Sequence, residues 1–165
     1  MVLPERWARI PGFPNYNVSN HGRVVNILKD RIMTQSPNEK GELTVGLNMS
    51  GHQYRRSVKV LVANAFVSGK TDVFNTVIQL DCERDNTGAD NLMWRPRWFA
   101  WRYNVQFDNI PDWAWVGPIV NEETGIEYQD MVWAAMMEGL LMFDIRQSMR
   151  NKVPVFPSAT TFAFS

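Results

Sequence analysis

The sequence has few of the residues that build disulfides and metal sites. It contains one cysteine, Cys82, and two histidines, His21 and His52. A single cysteine permits no intramolecular disulfide, and this set of residues argues against a structural zinc site. No apolar run approaches the roughly 18 residues that a membrane-spanning helix needs, and the opening residues lack the pattern of a signal peptide. We therefore expect a cytoplasmic protein without membrane segments or cofactors.

The chain has no excess charge of either sign, but its charges are unevenly distributed. Residues 1–60 hold nine Lys or Arg and four Asp or Glu, whereas residues 109–165 hold three Lys or Arg and seven Asp or Glu. Phosphates are bound chiefly by cations. The first third therefore suits nucleic acid, and the acidic last third suits it poorly.

Turn signals divide the chain into β-rich and helical segments. A turn at Ser50–Gly51 predicts a hairpin whose second strand carries Lys59 and leads into a helix from Leu61. Pro96 predicts the start of another helix. Beyond a proline-bounded linker, the sequence predicts a hairpin around residues 123–125, helices over residues 129–138 and 143–151 with Gly139 between them, and a final segment that docks as a strand or stays loose.

Two segments carry a nuclease-like pattern, VKVLVANAF and VIQLDCERDNTGADNLMW. They resemble the core of phage-type His-Asn-His (HNH) homing endonucleases. The shared skeleton comprises Leu61, Val62, Ala63, Phe66, Asp81, Asn86, Asn91, Leu92 and Trp94. The resemblance implies a site that, in the family, contains a histidine general base, an adjacent acidic metal ligand and a metal-binding asparagine in the following helix.

The positions that match the family's catalytic pattern hold other residues here. They are Lys59, Ile78, Gln79 and Ala100. A glutamine amide does not accept a proton from water near neutral pH, and an isoleucine does not bind a hard cation. We therefore predict no catalytic residues and no metal site, and we expect Asn91 and Asp81 to have structural roles.

A further stretch, Trp7 followed by IPGFPNYNVSNHGRVVNI, resembles the NUMOD-type module that accompanies HNH cores. Residues 116–152 resemble a second such module more faintly, as a hairpin followed by a helix-turn-helix. The resemblance implies DNA contacts in both. The candidate DNA-binding residues are Arg23, Arg55, Arg56, Lys59, Arg146, Gln147, Arg150 and Lys152.

The tryptophan and methionine residues favour an alternative to DNA binding, namely binding to a protein. Seven tryptophans form either an aromatic core or exposed platforms for nucleic acid or protein, and methionine-rich helices often make adaptable protein contacts. The candidate protein-binding residues are Trp98, Trp101, Met137 and Met142.

Taken together, these patterns predict an α+β chain of three modules. Residues 1–50 form a β-rich NUMOD-like module, residues 51–108 a degenerate ββα-metal core, and residues 109–165 a hairpin with a helix-turn-helix-like pair. The first hypothesis is a catalytically inactive relative of phage HNH endonucleases that binds DNA or a nucleoprotein. The alternatives are a protein-interaction factor, such as an inhibitor or accessory subunit of a polymerase or nuclease, and an active endonuclease with a rearranged site. The oligomeric state stays open.

Overall fold

The computed structural model describes residues 3–165 and confirms the predicted α+β fold. Two compact units divide the chain, one ending at Arg97 and the other running from Trp98 to Ser165. The helices are α1 (Val58–Phe66), α2 (Arg97–Val105), α3 (Met131–Glu138) and α4 (Met142–Asn151). The strands are β1 (Trp7–Ile10), β2 (Phe13–Ser19), β3 (Val24–Asn26), β4 (Arg31–Ile32), β5 (Gln35–Pro37), β6 (Leu43–Met49), β7 (His52–Ser57), β8 (Thr76–Gln79), β9 (Leu92–Arg95), β10 (Ile119–Asn121), β11 (Glu127–Tyr128) and β12 (Phe162–Phe164).

The first unit begins with two antiparallel sheets, β1-β2-β3-β4 and β5-β6-β7. The predicted hairpin is present as β6 and β7, and both residues of its turn have positive φ, Ser50 at 51° and Gly51 at 81°. Two positive φ values match the twist of the strands that such a turn connects. One apolar core, which includes Tyr16, Leu47 and Val62, joins both sheets to α1.

The segment that carries Lys59 differs from its predicted structure. Lys59 lies in the first turn of α1, whereas the sequence predicts it on the second strand of the hairpin. Val58, Val62 and Ala63 fall on one face of this helix and are buried in the core. Burial of that face against the two sheets outweighs the strand preference of the β-branched residues, so the helix begins three residues earlier than expected.

The pattern continues with two antiparallel strands, β8 and β9, and then with α2. The loop between the strands ends in a short 3-10 turn over Ala89–Asn91. Pro96 directly precedes α2, where its missing N–H costs no helical hydrogen bond. This succession is the ββα order that the sequence predicts.

The second unit contains the predicted hairpin and helix pair. β10 is the central strand of a three-stranded sheet, with β11 on one side and β12 on the other, so the final segment docks as a strand. Asp130 caps α3 by accepting a hydrogen bond from the Trp133 N–H, and Gly139 ends the helix in the left-handed conformation. The side chains of Leu140, Ile145 and Phe162 fill the core between α3, α4 and the sheet.

The two units form a coarser division than the three predicted modules. The hairpin of β6 and β7 spans residues 50 and 51, where the sequence places a module boundary. The division into three modules therefore stays a prediction. Across residues 3–165, no helix is both long and apolar enough to cross a membrane.

Candidate functional site

Gln79, at the position that matches the family's catalytic histidine, holds the loop that follows β8. Its side-chain Nε2 donates one hydrogen bond to the carbonyl of Glu83 at 2.9 Å and another to the carbonyl of Asn86 at 3.0 Å. The side chain is buried, with the residue only 7% exposed. Both amide hydrogens are therefore used within the loop, where they satisfy two backbone carbonyls.

Asp81 and Asn91 complete the loop's internal hydrogen bonds. Asn91 Nδ2 donates to Asp81 Oδ1 at 2.8 Å and to the Asn86 carbonyl at 3.0 Å. Asn86 Nδ2 donates to the other carboxylate oxygen of Asp81 at 2.6 Å. Asp81 Oδ1 also accepts from the Glu83 N–H at 2.9 Å. These bonds give Asp81 and Asn91 the loop-fixing geometry that a structural role requires.

The residues at the matching positions do not fit the divalent cation of the family. Ile78 is 1% exposed and Ala100 is 6% exposed, and neither side chain offers an oxygen or nitrogen ligand. Both oxygens of Asp81 already accept hydrogen bonds from amides. Within residues 3–165, no group of three or more His, Cys, Asp or Glu side chains is arranged to hold a metal ion.

The turn after β2 connects the first sheet to this loop. Asn20 accepts a hydrogen bond from the Arg6 N–H through its side chain at 2.6 Å, and its carbonyl accepts one from the Ala89 N–H at 2.8 Å. Gly22 has a φ of +87°, and a Cβ there would lie 2.1 Å from Oγ1 of Thr87. Sequence reasoning missed this junction because the two segments are far apart in the chain.

Arg55 and Arg56 lie on β7, an edge strand that is almost wholly exposed. The Arg55 guanidinium donates to Ser36 Oγ at 3.1 Å, and that of Arg56 stacks over the rings of Phe13 and Tyr54. Among the described residues, no carboxylate pairs with either arginine within 4.0 Å. Their charges are therefore available to an external anion, and stacking orients the Arg56 guanidinium.

Two other candidates from the basic first third are already paired. Arg23 donates to both carboxylate oxygens of Glu5, through Nε at 2.8 Å, and it also lies over the Trp7 ring. Hydrogen bonding from Arg23 lowers the pKa of Glu5 to about 2. Lys59 Nζ lies 3.5 Å from Glu42 Oε1. These acids offset part of the positive charge that a phosphate would meet.

The candidates of the second unit cluster around α4. Arg146 stacks over the Trp113 ring at 4.5 Å, and Gln147 accepts a hydrogen bond from Asn151. Arg150 is exposed, whereas Lys152 follows the helix and pairs with Glu122 at 3.2 Å. On α4 itself, Arg146, Gln147 and Arg150 lie outside the buried set of Met142, Ile145 and Ser148.

The aromatic and methionine candidates separate into exposed and buried residues. Trp98, Trp101 and Met137 are 52%, 68% and 57% exposed. Met142 is only 2% exposed and belongs to the core of the second unit. The prediction that Met142 lies on a docking surface is therefore wrong, because the first turn of α4 directs this side chain inward.

A sequence motif and one curated protein match parts of this chain. Residues 5–48 match the NUMOD4 motif. Over 91 residues the chain is 29% identical to the uncharacterized HNH endonuclease L247 of Acanthamoeba polyphaga mimivirus, an alignment that covers 54% of this chain and 22% of that protein. The chain thus spans about a fifth of the length of this curated relative.

One solved structure matches nearly the whole chain. It is that of the HNH homing endonuclease I-HmuI, which binds and cleaves DNA. The TM-score is 0.58 with 22% sequence identity, and the match covers 97% of this chain and 98% of that one. The chain therefore combines a NUMOD4 motif in residues 5–48 with the fold of an HNH homing endonuclease.

Proposed function

We propose that this protein binds double-stranded DNA without cleaving it, as a catalytically inactive relative of HNH homing endonucleases that acts in the cytoplasm. The observation that carries the proposal is the exchange of roles in the loop after β8. Gln79 stands at the position of the general base in the HNH pattern, and its side-chain amide donates hydrogen bonds to the carbonyls of Glu83 and Asn86. The loop therefore keeps its shape but lacks the histidine base and the acidic metal ligand of the HNH pattern.

Loss of catalysis leaves binding as the function that the remaining surface supports. Arg55 and Arg56 lie on an exposed edge strand, and no described carboxylate neutralises them. β7 is an edge of the three-stranded sheet β5-β6-β7, so its guanidinium groups can contact the phosphates of a duplex. The NUMOD4 match over residues 5–48 includes nearly all of β6.

A salt titration tests this proposal. We expect the protein to bind a labelled duplex with an affinity that falls linearly on a plot of log affinity against log salt, because bound phosphates release counterions. Fluorescence anisotropy between about 50 and 200 mM salt measures the slope. Absence of binding throughout this range would contradict the proposal.

A second candidate function is docking to a protein partner through the second unit. The specific observation in its favour is that Trp133 and Met137 are 48% and 57% exposed in the acidic last third of the chain. Exposed aromatic and methionine side chains beside acids suit an apolar, basic protein surface. A protein that fails to bind duplex DNA in the salt titration would favour this candidate.

A further inference from the structure

The outward face of α2 presents two tryptophans that the core does not use. Trp98 and Trp101 lie three residues apart and therefore share one side of the helix. They are 52% and 68% exposed, whereas Phe99 and Tyr103 on the other side are fully buried. An exposed pair of indole rings is a large apolar surface and indicates a binding surface more strongly than a single exposed residue does.

The buried side of α2 is firmly packed and contacts the Trp98 ring. Phe99 stacks with Tyr103 at a centroid distance of 6.3 Å, and the Tyr103 hydroxyl donates a hydrogen bond to the Ala135 carbonyl at 3.4 Å. Trp98 packs against Phe156 at 5.5 Å and against Phe99 at 5.7 Å. A ligand that stacked on this face would meet a Trp98 ring that is already oriented, which lowers the entropy cost of binding.

The charge around this face is positive. The helix itself contains Arg97 and Arg102 and no acidic residue. The guanidinium of Arg102 lies over the Trp98 ring at 5.6 Å. Asp144 is the acidic group that Arg102 faces from α4, and it is half-buried.

Two other exposed tryptophans, on the second unit, have a different setting. Trp115 and Trp133 are 54% and 48% exposed and lie in the acidic last third of the chain. Exposed rings beside arginines match a ligand with flat apolar faces and negative charge. Nucleic acid has both, and its bases stack on aromatic side chains while arginines contact its phosphates.

Only an unpaired base offers its face to such a ring, because the bases of an intact duplex are stacked on one another. We propose that Trp101 and Trp98, with Arg102, form a stacking site for unpaired DNA bases, such as those of a single strand or of an opened duplex. This proposal rests on the proposed DNA-binding function, and it predicts that the protein prefers DNA with unpaired bases. It adds a contact on α2 to the phosphate contacts of β7.

Binding to three DNAs of equal length tests this inference. They are an intact duplex, a duplex with a central unpaired bubble, and a single strand. We expect wild-type protein to bind the bubble more tightly than the duplex at the same salt concentration. Trp101→Ala should weaken bubble binding about 5- to 150-fold and leave duplex binding unchanged, since stacking on one aromatic ring contributes about 1–3 kcal/mol per base.

Two matched variants identify the cause. Trp133→Ala removes an indole of similar exposure from the acidic region and should change neither affinity, whereas Trp101→Phe keeps an aromatic face and should retain most of the bubble preference. Trp101 is the better probe because Trp98 also packs on Phe156, so its removal would disturb the fold.

The outcomes separate the two proposals. Duplex binding without a preference for the bubble, or a Trp101→Ala variant with unchanged bubble affinity, would overturn the stacking site and leave the DNA-binding function intact. Failure to bind any of the three DNAs would overturn both. A Trp133→Ala variant that lost bubble binding as strongly as Trp101→Ala would also overturn the assignment to α2.

Discussion

Replacing Gly22 with alanine should destabilise the first unit by about 2–5 kcal/mol. Two costs add at this position. An alanine at a φ of +87° incurs about 1–2 kcal/mol of backbone strain. The new Cβ would also lie 2.1 Å from Thr87 Oγ1, and relieving such an overlap in a packed region costs about 1–3 kcal/mol. Urea unfolding followed by circular dichroism measures the change in the free energy of unfolding.

Gly12 provides a matched control for the backbone term. Its φ is +81°, and nothing lies within 4 Å of the position that a Cβ would take. Gly12→Ala should therefore show only the strain of about 1–2 kcal/mol. In the double variant Gly22→Ala/Thr87→Ala the closest side-chain oxygen is gone, so part of the stability should return. Equal destabilisation by Gly12→Ala and Gly22→Ala would show that Gly22 and Thr87 do not pack as described.

Replacing both Arg55 and Arg56 with alanine should cause a larger loss of duplex affinity than any other change considered above. Both guanidinium groups are exposed and lack a carboxylate partner among the described residues. Loss of two phosphate contacts should reduce the slope of log affinity against log salt by about two. Anisotropy titrations of a labelled duplex at several salt concentrations measure both effects.

The double variant Arg23→Ala/Lys59→Ala is the control with equal charge change. Arg23 pairs with Glu5 and Lys59 with Glu42, so the local field that a phosphate meets changes less when these cations are removed. We expect a smaller loss of affinity and a smaller change of slope. If this variant weakened binding more than Arg55→Ala/Arg56→Ala, the interface would not lie on β7.

Local turn chemistry made much of the fold predictable from the sequence. Ser50–Gly51 marks a hairpin, Gly139 ends a helix, and residues 123–125 close a second hairpin, because each signal acts within a few residues. Residue matches to the HNH pattern extended the prediction to the ββα order. Asn86 and Asn91, in the loop between β8 and β9, were recognisable because they also match that pattern.

Contacts between distant segments were not predictable in this way. The fit of Gly22 against Thr87 depends on two loops that meet only in the folded unit. The burial of Met142 depends on the direction in which the first turn of α4 faces its core. Pairing of Arg23 and Lys59 with Glu5 and Glu42 also arises from folding, so a count of charges along the sequence overstates their availability.

The proposal that structural residues have replaced catalytic ones is tested most directly by measuring binding and strand cleavage in one sample. Supercoiled plasmid is incubated with wild-type protein and Mg²⁺ or Mn²⁺, alongside the variant Ile78→Asp/Gln79→His/Ala100→Asn, which installs the residue types that the HNH pattern implies. We predict that the wild-type protein shifts the plasmid in a gel without nicking it, since neither Ile78 nor Gln79 supplies a base or a metal ligand. The triple variant should gain nicking, because it supplies a base and metal ligands. The nicking should be weak, because the hydrogen bonds of Gln79 no longer brace the loop. Nicking by wild-type protein that disappears in Asp81→Ala would contradict the account.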